Sequence, residues 1–292
     1  MKVIIKALRK YLREKRWELR SAPLKRKIIQ YLEKLPKDEI TTEQTEVLNH
    51  LKTHCLSAFP YLFVGYHNQE DVQPFFDNER KMYYVLHEGK RLYFRKGFNV
   101  STVQRYYNGL QIEQDVDSPH RYETETFRVE QGDTVIDVGA AEGNFALSAV
   151  EKANKLYIFE VDEGWIEALE ATFSPWKEKV VIVDKYVSDK TNDTCVSLDD
   201  YFGNTRIDLI KADIEGAEIQ LIEGAKNILA REKPKLALCT YHRKNDADNL
   251  HLTLTKANYS VEFSKGYMIF LWGEEPLSPP YLCRGLIRAK KD

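Results

Sequence analysis

From Thr134 onward, short apolar runs alternate with stretches in which apolar residues return every three or four positions. Short apolar runs suit strands buried on both faces and the wider spacing suits amphipathic helices, so the alternation predicts βαβ units around a parallel sheet. Strands are expected at 134–138, 156–160, 180–183, 207–212 and 235–240, with helices near 144–152, 163–173, 217–230 and 246–257. Two more runs, 259–263 and 267–272, flank Ser264-Lys265-Gly266 and predict a terminal antiparallel hairpin. The expected fold is α/β and Rossmann-like, with a seven-stranded, mostly parallel sheet.

Upstream the pattern changes. Ile4, Leu8, Tyr11, Leu12 and Leu19 share a helical spacing, as do Leu24, Ile28, Tyr31, Leu32 and Leu35, which predicts two amphipathic helices separated near Pro23. A third helix should follow Thr41, with Gln44 closing a capping box and Val47, Leu48 and Leu51 facing inward. Strand formers on both sides of Glu88-Gly89, in MYYVLHEGKRLYF at 82–94, predict a β-hairpin. Residues 1–95 are therefore expected to form a helical and hairpin extension, and 96–292 the main domain.

Composition narrows the classes of partner. The 292 residues carry a formal net charge of only −2, which gives no reason to expect nucleic acid, yet residues 1–35 hold twelve Lys or Arg against three Glu. That basic stretch is expected to be a solvated outer face, and it offers a surface for oligomer or surface contact. No apolar run reaches the roughly 18 residues of a membrane-spanning candidate, and no signal peptide is legible. Cys55, Cys195, Cys239 and Cys283 lie far apart with no CxxC pair, which suits a reducing, cytoplasmic setting and gives no zinc ribbon.

The chemistry gathers at strand ends. In VIDVGAAEGNF, 135–145, a buried strand carries Asp137 near its end and turns through Gly139, Ala140, Ala141 and Gly143 into a helix opening at Asn144. In an open α/β sheet the ligand crevice lies beyond such ends, and small residues there leave room for it. A dinucleotide fingerprint starting at Gly139 would place glycines where Ala141 and Asn144 stand, so an NAD-linked oxidoreductase is the weaker alternative. Glu160, at the end of the second strand, is placed to accept hydrogen bonds from ribose hydroxyls, and Asp162 to cap the next helix. Ser188 follows the third strand, where adenine is expected to pack.

The fourth strand, in IDLIKADIEGAE at 207–218, is unexpectedly polar for a buried strand, with Lys211, Asp213, Glu215 and Glu218 around Gly216. Through DVGAAEG, the FE of YIFEVD, VSLDDYF, IDLIKADIEGAE and the later YH, the chain resembles the FkbM-like methyltransferase family over roughly residues 120–272. The resemblance implies a class I methyltransferase that uses S-adenosylmethionine, usually to methylate a hydroxyl of a small molecule, glycan or secondary metabolite. It carries the cofactor residues onto Asp137, Gly139, Gly143 and Glu160, and the Lys-x-Asp-x-Glu-Gly-x-Glu pattern onto Lys211, Asp213, Glu215, Gly216 and Glu218. Ala141 and Glu142 depart from the commoner Ala-Asn-x-Gly turn. A scaffold that keeps the fold without turnover is the remaining alternative.

Methyl transfer to a hydroxyl needs alignment and a destination for one proton. Asp213 and His242 are expected to converge there, His242 as general base because imidazole titrates near neutrality. Lys211 either orients a carboxylate or pairs with Asp213, and Glu218 is expected to support the turn or the helix N-terminus. In EQDVDSPHRYET, 113–124, Glu113, His120, Arg121 and Tyr122 are candidates for a lid that touches cofactor or substrate. Asp213, Glu215 and His242 also form a chemically suitable oxygen and nitrogen set for a divalent cation, although no metal is expected.

Overall fold

A computed structural model describes residues 2–273 and 276–291, with side chains from Tyr11 onward except those of residues 13 and 14. The chain opens with α1 (Lys2–Lys34), α2 (Thr42–Thr53), the strands β1 (Phe75–Asp77), β2 (Met82–His87) and β3 (Lys90–Tyr93), and α3 (Val100–Glu113). Pro23 does not divide α1, which runs through it as one helix. A proline costs one backbone bond, and tertiary anchors hold the helix in line on its N-terminal side: Trp17 Nε1 donates to the Leu56 carbonyl at 2.7 Å and Ser21 is buried.

The two apolar stripes of α1 have different fates. Ile28 and Leu32 are fully buried against Val47 and Leu51 of α2 and against Met268, Ile269 and Leu282. Tyr11, Leu12 and Leu19 are exposed, whereas the side chains of Ile4 and Leu8 lie outside the described residues. The capping box of α2 is formed in both directions, Thr41 accepting from the Gln44 N–H and Gln44 from the Thr41 N–H. Glu88 and Gly89 turn β2 into β3 with positive φ at both positions, as a tight hairpin requires. The strand β1 and helix α3 were not anticipated.

The second part contains β4 (Thr134–Val138), α4 (Asn144–Ala149), β5 (Lys155–Phe159), α5 (Glu163–Thr172), β6 (Val180–Val183), β7 (Tyr186–Val187), β8 (Cys195–Val196) and α6 (Leu198–Phe202). It continues through β9 (Leu209–Ala212), α7 (Glu218–Glu223), α8 (Lys226–Arg231), β10 (Lys235–Cys239), α9 (Asp246–Lys256), β11 (Ser260–Phe263) and β12 (Leu286–Lys290). Seven strands pair in the order β11-β12-β10-β9-β4-β5-β6, and β12 is antiparallel to both neighbours. The final strand is thus not 267–272, where only Met268 makes an isolated bridge to Cys283, but a segment near the C-terminus. Leu286, Ile287 and Ala289 are all buried, giving β12 the two-faced apolar character needed between β10 and β11. The helix expected over 217–230 is two short helices interrupted at Gly224, against which the Ser188 carbonyl is packed.

The sheet is buried on both sides. Val135, Leu209 and Ala237 face one core with α4 and α5, whereas Ile136, Ile210 and Leu238 face the other with α7, α8 and α9. Side chains alternate along a strand, and register sets Asp137 beside Lys211, and Lys211 beside Ala237. Asp137, Lys211, Asp213, Cys239 and Tyr241 therefore emerge on one side at the C-terminal ends of three adjacent strands.

Candidate active site

The turn after β4 is shaped first by the protein itself. Gly139 has φ +68°, and a Cβ there would stand 2.0 Å from the Asp213 carbonyl oxygen. Gly143, at φ +80°, would strike Leu169 at 2.6 Å. The space expected to stay clear for a ligand is, at both glycines, occupied by neighbouring protein. Glu160 fixes the same turn, its Oε2 accepting from the Ala141 N–H at 2.8 Å while Oε1 accepts from Val161 and Asp162 at 2.8 and 2.9 Å. Asp162 caps α5 as the sequence predicts, accepting from Gly164 and Trp165.

Beside the turn, Lys211 does not pair directly with Asp213. Its Nζ lies 2.9 Å from Asp137 Oδ1 and donates to the Gly139 carbonyl at 2.8 Å. Burial pulls the Lys211 pKa down, but the charges of Asp137 and Asp213 outweigh it and keep the ammonium protonated. Asp137 is fully buried and its Oδ2 has no hydrogen-bond partner. Glu142, also buried, is pushed up to about 8, chiefly by burial and further by Glu113. Glu113, whose own pKa burial raises, ends α3.

Asp213 is the centre of a second cluster. Tyr241 donates to Oδ1 at 2.9 Å and Tyr122 to Oδ2 at 3.2 Å. His120 Nε2 lies 3.6 Å from Oδ2, and His242 Nε2 lies 3.3 Å from Oδ1. Burial alone would raise the Asp213 pKa, but hydrogen bonding and charge from His120, then Lys211 and His242, hold it well below the carboxylate range. The Tyr122 and Tyr241 phenols are pushed well up, first by burial and then by Asp213, so both stay donors. Burial pushes His242 down, yet Glu218, Asp213 and Glu215 raise it overall.

His120 and Tyr122 belong to this cluster as walls, held in place from behind. Arg288 donates to the carbonyls of Arg121 and Tyr122, Ser264 Oγ donates to the Pro119 carbonyl, and Gln114 accepts from the Tyr122 N–H. Arg121 turns elsewhere, donating to the Glu123 carbonyl and lining a cavity of about 430 Å³ with His67, His87 and Ser148. Ser188 Oγ donates to Asp189 at 3.0 Å. Glu215, at φ +55°, is exposed at the rim. Glu218 orders the turn, accepting from the Ile214 N–H at 3.1 Å, and also faces His242. Tyr241 and Gln114 were missed. Tyr241 could have been found from its place one residue before His242 at a strand end.

Residues 119–261, which contain both clusters, match the family model described as the methyltransferase FkbM domain. S-adenosylmethionine is the cofactor that the resemblance to this family implies. The residues present fit it: the unpartnered Oδ2 of buried Asp137 is a suitable acceptor for the cofactor's ammonium group, and Glu160 keeps lone-pair capacity beyond its three backbone bonds.

Among solved structures, an FkbM methyltransferase from Methylobacillus flagellatus is similar at 17% identity and a TM-score of 0.45, over 65% of this chain and 53% of that one. This chain thus spans about half the length of that relative. A putative methyltransferase from Streptococcus mutans in complex with SAH is 15% identical, over 56% of this chain and 92% of that one, with a TM-score of 0.40. An S-adenosylmethionine-dependent O-methyltransferase from Thermotoga maritima is 18% identical, over 56% and 60%, with a TM-score of 0.37. No curated protein matches the sequence. No helix among the described residues is long and apolar enough to cross a membrane.

Proposed function

We propose that the protein is an O-methyltransferase acting on a hydroxyl of a small molecule, glycan or secondary metabolite. The observation that carries this reading is the convergence on Asp213 of two tyrosine hydroxyls and two imidazoles at the strand ends beside the Gly139 turn. S-adenosylmethionine supplies a methyl group activated by attachment to a sulfonium. What remains for the chain is to bind the cofactor, aim an acceptor oxygen and take its proton.

Asp137 and Glu160 are the cofactor-binding carboxylates in this reading, on a turn that Gly139, Ala140, Ala141 and Gly143 keep compact before Asn144 opens α4. Lys211 holds Asp137 and the Gly139 carbonyl in a fixed relation. Asp213, with so depressed a pKa, is a poor proton acceptor and a good fixed charge. It orients His242, and the His242 imidazole in its neutral form takes the acceptor proton. Glu215 meets the acceptor at the rim, while His120 and Tyr122 fix the opposite side of Asp213.

The test is methyl transfer from S-adenosylmethionine to a panel of hydroxylated sugars, phenols and amines, read by mass spectrometry. Oxygen methylation that disappears in Asp213→Asn, with S-adenosylhomocysteine still bound in calorimetry, is the expected result. Transfer to amines alone would refute the oxygen assignment, and cofactor binding without transfer to any acceptor class would favour a scaffold.

A further inference from the structure

Helix α1 runs unbroken from Lys2 to Lys34, so its apolar positions keep one phase along the rod. At about 100° per residue, Trp17, Ser21, Leu24, Ile28 and Leu32 fall on one side. That side is docked. Ile28 and Leu32 are buried in the core shared with α2, Ser21 is buried, and the Trp17 indole donates to the Leu56 carbonyl. Ile4, Leu8, Tyr11, Leu12 and Leu19 occupy a second arc of about 100°, centred about 150° from the first. The members of that arc whose side chains are described are open to solvent, Tyr11 at 55%, Leu12 at 46% and Leu19 at 75% exposure. Single exposed apolar residues need no explanation, but these share one face of one helix and form a stripe.

Charge is arranged around this stripe. Residues 2–20 hold eight Lys or Arg against two Glu, whereas the rest of the chain is net negative. Positions 2, 6, 9, 13, 16 and 20, all basic, fall in an arc of about 80° that borders the stripe. Lys15 falls inside the stripe, where it pairs with Glu18 at 2.7 Å, and its long stem lets the ammonium reach past its apolar neighbours.

A solvated outer face accounts for the lysines and arginines but not for the apolar stripe. Nucleic acid would answer the charge and leave the stripe uncovered, and a second copy of the helix would bring like charges together. A lipid surface with negative headgroups satisfies both at once, because the headgroups meet the basic arc and the acyl chains cover the stripe.

We propose that residues 2–20 of α1 dock on an anionic phospholipid surface, with the helix lying in its plane. The docked side of α1 is nearly opposite the stripe, so the domain stands on the far side of the helix from the lipid, and its net negative charge favours that orientation. Docking is independent of the methyl-transfer reading.

The test is sedimentation of the full-length protein with vesicles of phosphatidylcholine alone and of equal parts phosphatidylcholine and phosphatidylserine. Partitioning should be about tenfold or more stronger on the mixed vesicles and should weaken as salt is raised. Leu12→Ser with Leu19→Ser, and Arg16→Gln with Arg20→Gln, should each lower it about tenfold or more, with circular dichroism and urea unfolding unchanged. Equal partitioning on both vesicles, or none on either, would overturn the proposal. Loss in the arginine pair alone would mean plain electrostatic adsorption and would overturn the role of the stripe. A wild-type dimer in analytical ultracentrifugation that the leucine pair dissociates, with no vesicle binding, would give this face to a second copy instead. If either double variant misfolds, hydrogen exchange of the wild-type protein decides. Amides of residues 3–20 should exchange more slowly on the mixed vesicles, and unchanged exchange there would overturn the docking.

Discussion

The α-carbon of Gly139 and the carbonyl oxygen of Asp213 approach so closely that a Cβ on Gly139 would be 2.0 Å from that oxygen. This contact joins the glycine turn after β4 to the Asp213 cluster. Gly139→Ala must therefore move the fourth strand's end or open the turn, in a backbone region that side chains rarely adopt. A loss of about 2–4 kcal/mol in urea unfolding is expected, together with weaker S-adenosylhomocysteine binding in calorimetry. Unchanged stability and affinity would show that the contact is easily relieved.

Tyr241→Phe deletes one donor to a buried carboxylate and leaves the ring in place. Hydrogen bonds to charged groups are worth about 1.5–3 kcal/mol, so stability should fall by about that much. If Asp213 orients His242, kcat for methyl transfer falls at least tenfold while cofactor affinity holds. Loss of cofactor affinity with kcat intact would place Tyr241 in the wrong role.

Glu142 makes stability depend on pH. Its carboxyl is raised from 4.5 to about 8 in the folded protein, so between those values the native state keeps a proton that the unfolded chain releases. The contribution is whole below pH 4.5 and is lost as pH rises through about 8. At about 1.4 kcal/mol per unit, stability should decline by a few kcal/mol from this group, and Glu142→Gln should flatten the decline. Parallel urea midpoints for both proteins from pH 5 to pH 9 would contradict it.

Pro23→Ala restores one N–H inside α1. An interior proline is about 3 kcal/mol less favourable than alanine, so hydrogen exchange around residues 19–27 should slow while cofactor binding is unaffected. Faster exchange there would mean that the proline supports the helix.

Local patterns fixed much of the architecture before any contact was known. The apolar runs of β4, β6 and β10, the Thr41 to Gln44 capping box, the Glu88-Gly89 turn and the Asp162 cap each depend on neighbours a few residues away, so all were legible. The glycine turn and the Lys211 to Glu218 run likewise marked both clusters. Non-local events decided the rest. Pro23 sits inside an unbroken helix whose flanks dock on distant segments, and the seventh strand is drawn from 286–290, because neighbours in the sheet need not be neighbours in sequence.

The same distinction governs the site. Residue types and strand ends, read from sequence alone, singled out Asp137, Glu160, Asp213 and His242 as candidates. Only register could set Lys211 against Asp137 instead of Asp213, only sheet pairing could bring Tyr241 and Tyr122 onto one carboxylate, and only packing could fill the space at Gly139 with a carbonyl. Side-chain chemistry belongs to the residue, but the partner that tunes it is chosen by pairing across long stretches of chain. That pairing comes from summed burial over the whole sheet, which no short segment encodes.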